Sequence, residues 1–359
     1  MNAVLALTKR NVLCFFRDRA AVLFSFLTAL IVVLLYLLFL RNVLISSMSS
    51  EGWTILSGEQ LPSLVDSWVM AGIIGIVSVT SCAGSLQCMV DDKVSGKDMC
   101  FRIAPIKPSE LAAGYVLSAF LAGLIVSAAT LAFALAYLCA TGCALGIPDI
   151  FASILLLVPS ALSSSIILFA LASLLKSQSA YTGFSIIMST LIGLLYGLYL
   201  PMVAFPKAVY AVANLIPATH MAALFRQHLC SGPMADVFGP GGASEFREEM
   251  GVDLSVAGYE FTGTTSILYV LAVTALFFAI SVLIMRKRRN RCPHEEPCVR
   301  LCPQEMALIS TAGSFDMNPS TPISRNLSAY LGLSTVHANA FMPLSCIDDI
   351  VSGSVKQDR

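Results

Sequence analysis

The sequence predicts an all-α integral membrane protein with six transmembrane helices, and three observations carry that prediction. Hydrophobic residues make up 57% of the 359 and charged residues only 12%, with a mean hydropathy of +0.79, whereas a soluble domain carries roughly 25% charge. Six windows contain no Asp, Glu, Lys or Arg: Ala20 to Leu40, Ser67 to Val90, Leu111 to Pro148, Ile150 to Leu175, Ser177 to Pro206 and Phe261 to Met285. Each reaches the about 20 residues that a spanning helix needs, and helices satisfy their own backbone polar groups in lipid. Basic residues, finally, cluster on alternate connections. Lys9, Arg10, Arg17 and Arg19 precede the first window, Lys93, Lys97, Arg102 and Lys107 follow the second, Lys176 follows the fourth, and Arg286 to Arg291 follow the sixth. Positive-inside asymmetry then places both termini in the cytoplasm of a plasma-membrane protein.

Residues 1–19 interleave Val4, Leu5, Val12, Leu13 and Phe16 with those basic residues, the pattern of an amphipathic helix lying on the inner membrane surface. The first apolar run is too long for a signal-peptide core and no small-x-small site closes it, so it is expected to be retained. From Arg41 to Asp66 the chain is polar and turn-rich, and an outer loop without a periodic core is expected. The second span ends at Val90. A short charged stretch from Asp91 to Gly114 follows, broken by Gly96, Pro105 and Pro108 into a short helix and an extended turn. Ser109 is placed to cap the third span.

Gly142, Gly146 and Pro148 spell a tight outer hairpin between spans three and four, and Pro159 predicts a kink in span four. Lys176 to Gln178 make a short inner turn. The apolar run Ala208 to Phe225 is interrupted by Asn214, Pro217 and His220, which favours a re-entrant or interfacial pair of short helices over a seventh span. Cys230 to Glu260 reads as a small Gly-rich outer loop. The division expected is an interfacial helix over residues 1–19, a six-span domain over 20–290, and a mostly disordered cytoplasmic tail over 291–359.

Sites of chemistry are few. A phosphate-cradling loop ending at Gly96 and Lys97 would need a glycine where Asp91 stands, and no nucleophile–base arrangement or H-E-x-x-H motif is present. No catalytic residue and no cofactor is assigned to the chain itself. Cys292, His294, Cys298 and Cys302 lack the paired knuckles of a structural zinc site, so reduced thiols or juxtamembrane acylation are preferred to a metal. Ser78, Ser81 and Ser85 on span two and Ser185 and Ser189 on span five could line a pathway or equally serve as interhelical glue. His220 is the titratable residue inside an apolar run. It is either functional or a neutral imidazole bonded to a backbone carbonyl.

These features together resemble the permease subunits of bacterial type 2 ABC exporters, over about residues 5 to 290. The carriers are RDRAAVLFSFL at the start of span one, the stretch after span two in which Asp92, Lys93, Gly96, Pro105, Glu110 and Leu111 match the family pattern, and KSQSA at Lys176 to Ala180. Gly197, Pro201, Pro206, Asn214, Pro217, Thr219 and Arg226 continue the likeness. Val94 and Lys97 depart from it, standing where the family places an acid and a threonine. The resemblance implies that Asp92, Lys93, Gly96, Arg102, Pro105 and Glu110 belong to a cytoplasmic coupling helix docking on a separate ABC ATPase subunit, which would hold ATP and Mg. It further implies a permease homodimer or heterodimer in the bilayer and no nucleic-acid partner. The competing readings are an ATP-independent secondary transporter or channel, disfavoured by the charge-free windows, and a membrane scaffold acting through its C-terminal tail.

Overall fold

In the computed structural model the described residues are 3–50, 60–97, 101, 106–143, 145–197, 202, 205–239, 243–256 and 259–290. Helix α1 (Ala3–Arg17) gives way at Asp18 to α2 (Arg19–Leu35), a single π-turn (Tyr36–Leu40) and α3 (Arg41–Ser50). Next come α4 (Leu61–Val94), α5 (Pro108–Ala140), α6 (Ile147–Ser173), α7 (Gln178–Leu195), α8 (Lys207–Leu215), α9 (Pro217–Leu229), α10 (Ser231–Phe238) and α11 (Ser244–Glu249). A hairpin of β1 (Leu254–Val256) and β2 (Tyr259–Phe261) precedes the last helix, α12 (Gly263–Asn290).

Among the described residues five helices are long and apolar enough to cross a membrane: those over 61–94, 109–140, 147–173, 178–195 and 263–284. They coincide with the second to sixth charge-free windows. The first window is helical too, but the π-turn divides it, so no single α-helix covers it. The helix also runs on through Arg41 to Ser50, which corrects the expectation of an irregular loop beginning at Arg41. Residues 51–59 lie outside the described residues.

Helix α4 is the axis of the bundle. Its apolar window is 89% buried, against 22% for α7 and 17% for α12, because α2, α5, α6, α7 and α9 all pack on it. Small residues allow the closest approaches. A Cβ on Gly123 of α5 would lie 2.4 Å from Cys82 Sγ on α4, and one on Gly114 would lie 2.8 Å from the Cβ of Leu7 on α1. Val65, Trp68, Ile74 and Leu86 are fully buried around this axis.

The turns follow the punctuation of the sequence in most places. Gly96 adopts φ +73° just after α4 and Gly142 φ +76° just after α5, where a glycine meets no steric penalty. Ser177 accepts from the Ala180 N–H at 3.2 Å and starts α7. The third span, however, begins two residues earlier than a Ser109 cap would allow. Lys107 is the N-cap, and the Glu110 carboxylate reaches back to the Lys107 N–H at 3.0 Å, satisfying a donor that the helix start leaves free. Helix α6 continues through Pro159.

The run after α7 is a broken pair, as expected, with α8 and α9 bent by 88° at Ile216. One expectation needs correction beyond it. Cys230 to Glu260 is not a plain loop, since α10, α11 and the β1–β2 hairpin fold there, with Leu254 facing Phe261 in antiparallel register. Among the described residues this hairpin of three-residue strands is the only sheet, and the protein is an all-α membrane protein in class.

Candidate functional site

The end of α4 that carries Asp92 is a junction of four helices. Helical spacing turns adjacent residues about 100° apart, so the charged run at this end splits into two faces. Asp92 and Lys93 point inward, Asp92 being 2% exposed, while Asp91, Val94 and Lys97 are exposed. Both Asp92 oxygens accept from Arg10 of α1, each at 2.6 Å. Oδ2 also accepts from the Tyr115 hydroxyl of α5 at 2.7 Å. Two charge-assisted bonds in fork geometry are the strong form of this contact. They hold the Arg10 guanidinium protonated well above its ordinary range, despite partial desolvation. Lys93 Nζ donates to the Ser173 carbonyl at 3.4 Å, placing a cation on the C-terminal dipole of α6.

The arrangement separates the residues that the family pattern groups together. Asp92 and Lys93 tie the end of α4 to α1, α5 and α6. Gly96 supplies the turn, and Glu110 closes the first turn of α5. Arg102 and Pro105 lie outside the described residues, as do Cys292, His294, Cys298 and Cys302. Val94 and Lys97, the two departures from the family pattern, stand on the outward face with Asp91.

The opposite end of α4 repeats the device. Asp66 is fully buried. It accepts from Arg41 Nε at 2.8 Å and Nη2 at 3.2 Å, from the Tyr36 hydroxyl, and from the Tyr137 hydroxyl at 3.4 Å. The two aspartates lie roughly 39 Å apart along the axis at 1.5 Å per residue, so the first helical unit, the run from α1 through α3, is bolted to the axis at both ends. Sequence reasoning missed Asp66, Arg41, Tyr36 and Tyr115. The available signal was a carboxylate at each edge of one charge-free window, Asp66 before it and the Asp91–Asp92 pair after it.

Nearer the Asp66 end, Arg226 of α9 is completely buried, and its hydrogen-bond partners among the described residues are backbone carbonyls. Its guanidinium stacks 4.3 Å over the Trp68 ring, and it donates to the Tyr196 carbonyl at 2.7 Å and to the carbonyls of Met250 and Gly251 at 3.4 and 3.5 Å. Trp68 Nε1 donates to the same Met250 carbonyl at 2.9 Å. One side chain thus fastens α4, the end of α7 and the segment after α11 to the broken pair.

Of the candidate pathway residues, Ser78, Ser81 and Ser85 are buried within the bundle. Ser78 accepts from Ser160 of α6 at 3.1 Å, an interhelical bond, whereas the hydroxyls of Ser81 and Ser85 have no partner. Ser185 and Ser189 are partly buried on α7, with Ser189 donating to the Ser185 carbonyl at 2.8 Å. His220 sits apart from both sets. Its Nε2 faces the Asn214 carbonyl at 2.8 Å and Nδ1 faces Ser266 Oγ at 3.4 Å, with Phe261 and Tyr269 against the ring. A carbonyl only accepts, so Nε2 carries a proton and Nδ1 can accept from the serine. That environment satisfies a neutral imidazole.

A buried helical axis, apolar helices of spanning length around it, a broken pair near one end and a charged junction at the other are the architecture of a multi-pass membrane protein. Residues 54–283 match the family model described as ABC-2 family transporter protein. The chain belongs to that family, as a permease subunit of a type 2 ABC transporter, and the family implies an ABC ATPase subunit as partner. No curated protein matches the chain.

Proposed function

We propose that this chain is the permease subunit of an ATP-driven exporter that moves an amphiphilic drug, lipid or peptide out of the cell. The observation that carries the reading is the junction at Asp92. Asp91, Val94 and Lys97 offer an exposed docking face. The residues behind them pass a displacement to α1 through Arg10, to α5 through Tyr115 and to α6 through Ser173.

In this reading the Asp92 end is cytoplasmic and the stretch from Asp91 to Glu110, with Arg102 and Pro105, is the coupling element. The partner ATPase binds ATP and Mg. Its closure pushes on the element and converts the pathway between two permease copies from inward- to outward-facing. The segment from Ala20 to Leu40 counts as span one, giving six spans with both termini in the cytoplasm of the plasma membrane, an interfacial helix over 1–19, a membrane domain over 20–290 and a separate tail over 291–359. The basic clusters support that orientation.

Amphiphilic cargo follows from the apolar helices with scattered hydroxyls. Ser81 and Ser85 on the axis keep unpartnered hydroxyls that a polar headgroup could engage once neighbouring helices part, with Ser78, Ser185, Ser189 and His220 as further candidates. The test is reconstitution with the ATPase subunit after reversing the exposed charges, Asp91→Lys with Lys97→Glu. Export is expected to fall while folding and basal hydrolysis persist. Unchanged export with unchanged stimulation of hydrolysis would remove the docking role.

A further inference from the structure

A trench of about 710 Å³ runs between α2, α4 and α5, and the transport reading makes no use of it. Its floor is buried: Val33, Met70, Ile73 and Ala134 are all at or below 5% exposed. Its rim is open, with Leu23 and Phe133 exposed at 61% and 49%. From Arg19 to Val33 the α2 wall runs roughly 21 Å at 1.5 Å per residue, about two thirds of the hydrocarbon core of a bilayer.

Among the described residues of this lining the polar side chains are Arg19 and Thr130. The Thr130 hydroxyl already donates its proton to the Val126 carbonyl at 2.9 Å, so it has no donor left for an anionic group. Arg19 is exposed at the first residue of α2, at the level where α1 presents Lys9 and Arg17 to the surroundings. The trench is thus an apolar slot with a cation at one end, which is the charge distribution complementary to one amphiphile: an apolar tail carrying an anionic head.

A second copy of the chain fits it less well. A helix about 10 Å across and 21 Å long occupies roughly 1,600 Å³, more than twice the trench. A flexible acyl chain has no such minimum girth.

We propose that this trench is a binding site for one anionic phospholipid of the surrounding bilayer. Its headgroup phosphate pairs with Arg19, and an acyl chain lies along Leu23, Leu30 and Val33 against Met70 and Ile73. The bound lipid fills the gap that α2 leaves beside α4 and α5, and so acts as packing for the first helical unit. The site does not depend on what is exported.

The test is native mass spectrometry of the full chain released from detergent in the presence of equimolar phosphatidylglycerol and phosphatidylcholine. The wild type is expected to retain phosphatidylglycerol over phosphatidylcholine by about fivefold, the ratio that a single basic residue near an anionic headgroup supplies. Arg19→Ala, an exposed position, should bring the ratio to about one, and Arg19→Lys should keep most of it. Leu23→Glu, which sets a like charge in the mouth, should reduce phosphatidylglycerol retention further. Equal retention of the two lipids by the wild type, or a preference that survives both Arg19→Ala and Leu23→Glu, overturns the proposal. So does a lipid-free dimer, which would assign the trench to a second copy.

Discussion

Arg10 and Asp92 stand 82 positions apart in sequence and share two hydrogen bonds of 2.6 Å, so that the amphipathic first helix is fixed to the end of the central one. A buried carboxylate that loses such a donor keeps its desolvation cost without the compensating bond. Arg10→Ala should therefore lower stability by about 1.5–3 kcal/mol, the range for hydrogen bonds to charged groups, with Arg10 one-third exposed and the lower end favoured. Thermal unfolding in detergent measures the loss. The exchange Arg10→Asp with Asp92→Arg should recover part of it, which a purely steric effect would not.

The Arg41 to Asp66 pair makes the corresponding prediction at the other end. Asp66→Asn keeps the shape but removes the charge that Arg41, Tyr36 and Tyr137 surround. We expect a lower unfolding temperature and faster proteolysis in the segment after Ser50. The variant should leave the Arg10 to Asp92 junction intact, as tested by combining it with Arg10→Ala: pairs this far apart add independently to within about 0.5 kcal/mol. Strong non-additivity would mean that the first helical unit moves as one lever.

Much of this architecture was legible in the sequence, and the residues explain why the rest was not. Charge-free windows located five long helices because lipid tolerates no unpaired backbone, and Asn214 with Pro217 marked the break that appears at Ile216. The polar composition of Arg41 to Ser50 hid a helix, since its order comes from Arg41 reaching back to Asp66 and from continuity with the π-turn, not from periodicity. Ser109 lost the cap to Lys107 because Glu110 supplies the compensating acceptor. In the candidate site, the family pattern identified Asp92 and Lys93 by type. That both face inward depends on partners 80 or more residues away, and no local signal carries that.

Arg226 offers a third test. Its two terminal nitrogens serve the carbonyls of Tyr196, Met250 and Gly251 while the guanidinium plane covers Trp68. A lysine keeps the charge but loses both the plane and the multiple donors. Arg226→Lys should destabilise by about 2 kcal/mol or more, the scale of a desolvated cation–π contact plus lost bonds, and should raise hydrogen exchange at residues 250–256. Protection there equal to wild type would separate Arg226 from the folding of that segment.

Close packing of α1 on α5 gives a fourth. A side chain at Gly114 would meet Leu7 at 2.8 Å or less, and overpacking typically costs about 1–3 kcal/mol. Gly114→Val should displace α1, loosen the Arg10 contact and reduce coupled ATP hydrolysis more than it reduces membrane insertion. Adding Leu7→Ala should restore part of the coupling by making room.

The central claim is that Asp91, Val94 and Lys97 form the face on which the ATPase subunit pushes. It is tested most directly by placing single cysteines at Val94 and Lys97 in an otherwise cysteine-depleted chain and cross-linking the assembled transporter. The account predicts a cross-link from each position to the ATPase subunit, with export blocked once the link forms. Fully accessible cysteines that never link to the ATPase, in a complex that exports normally, would contradict it.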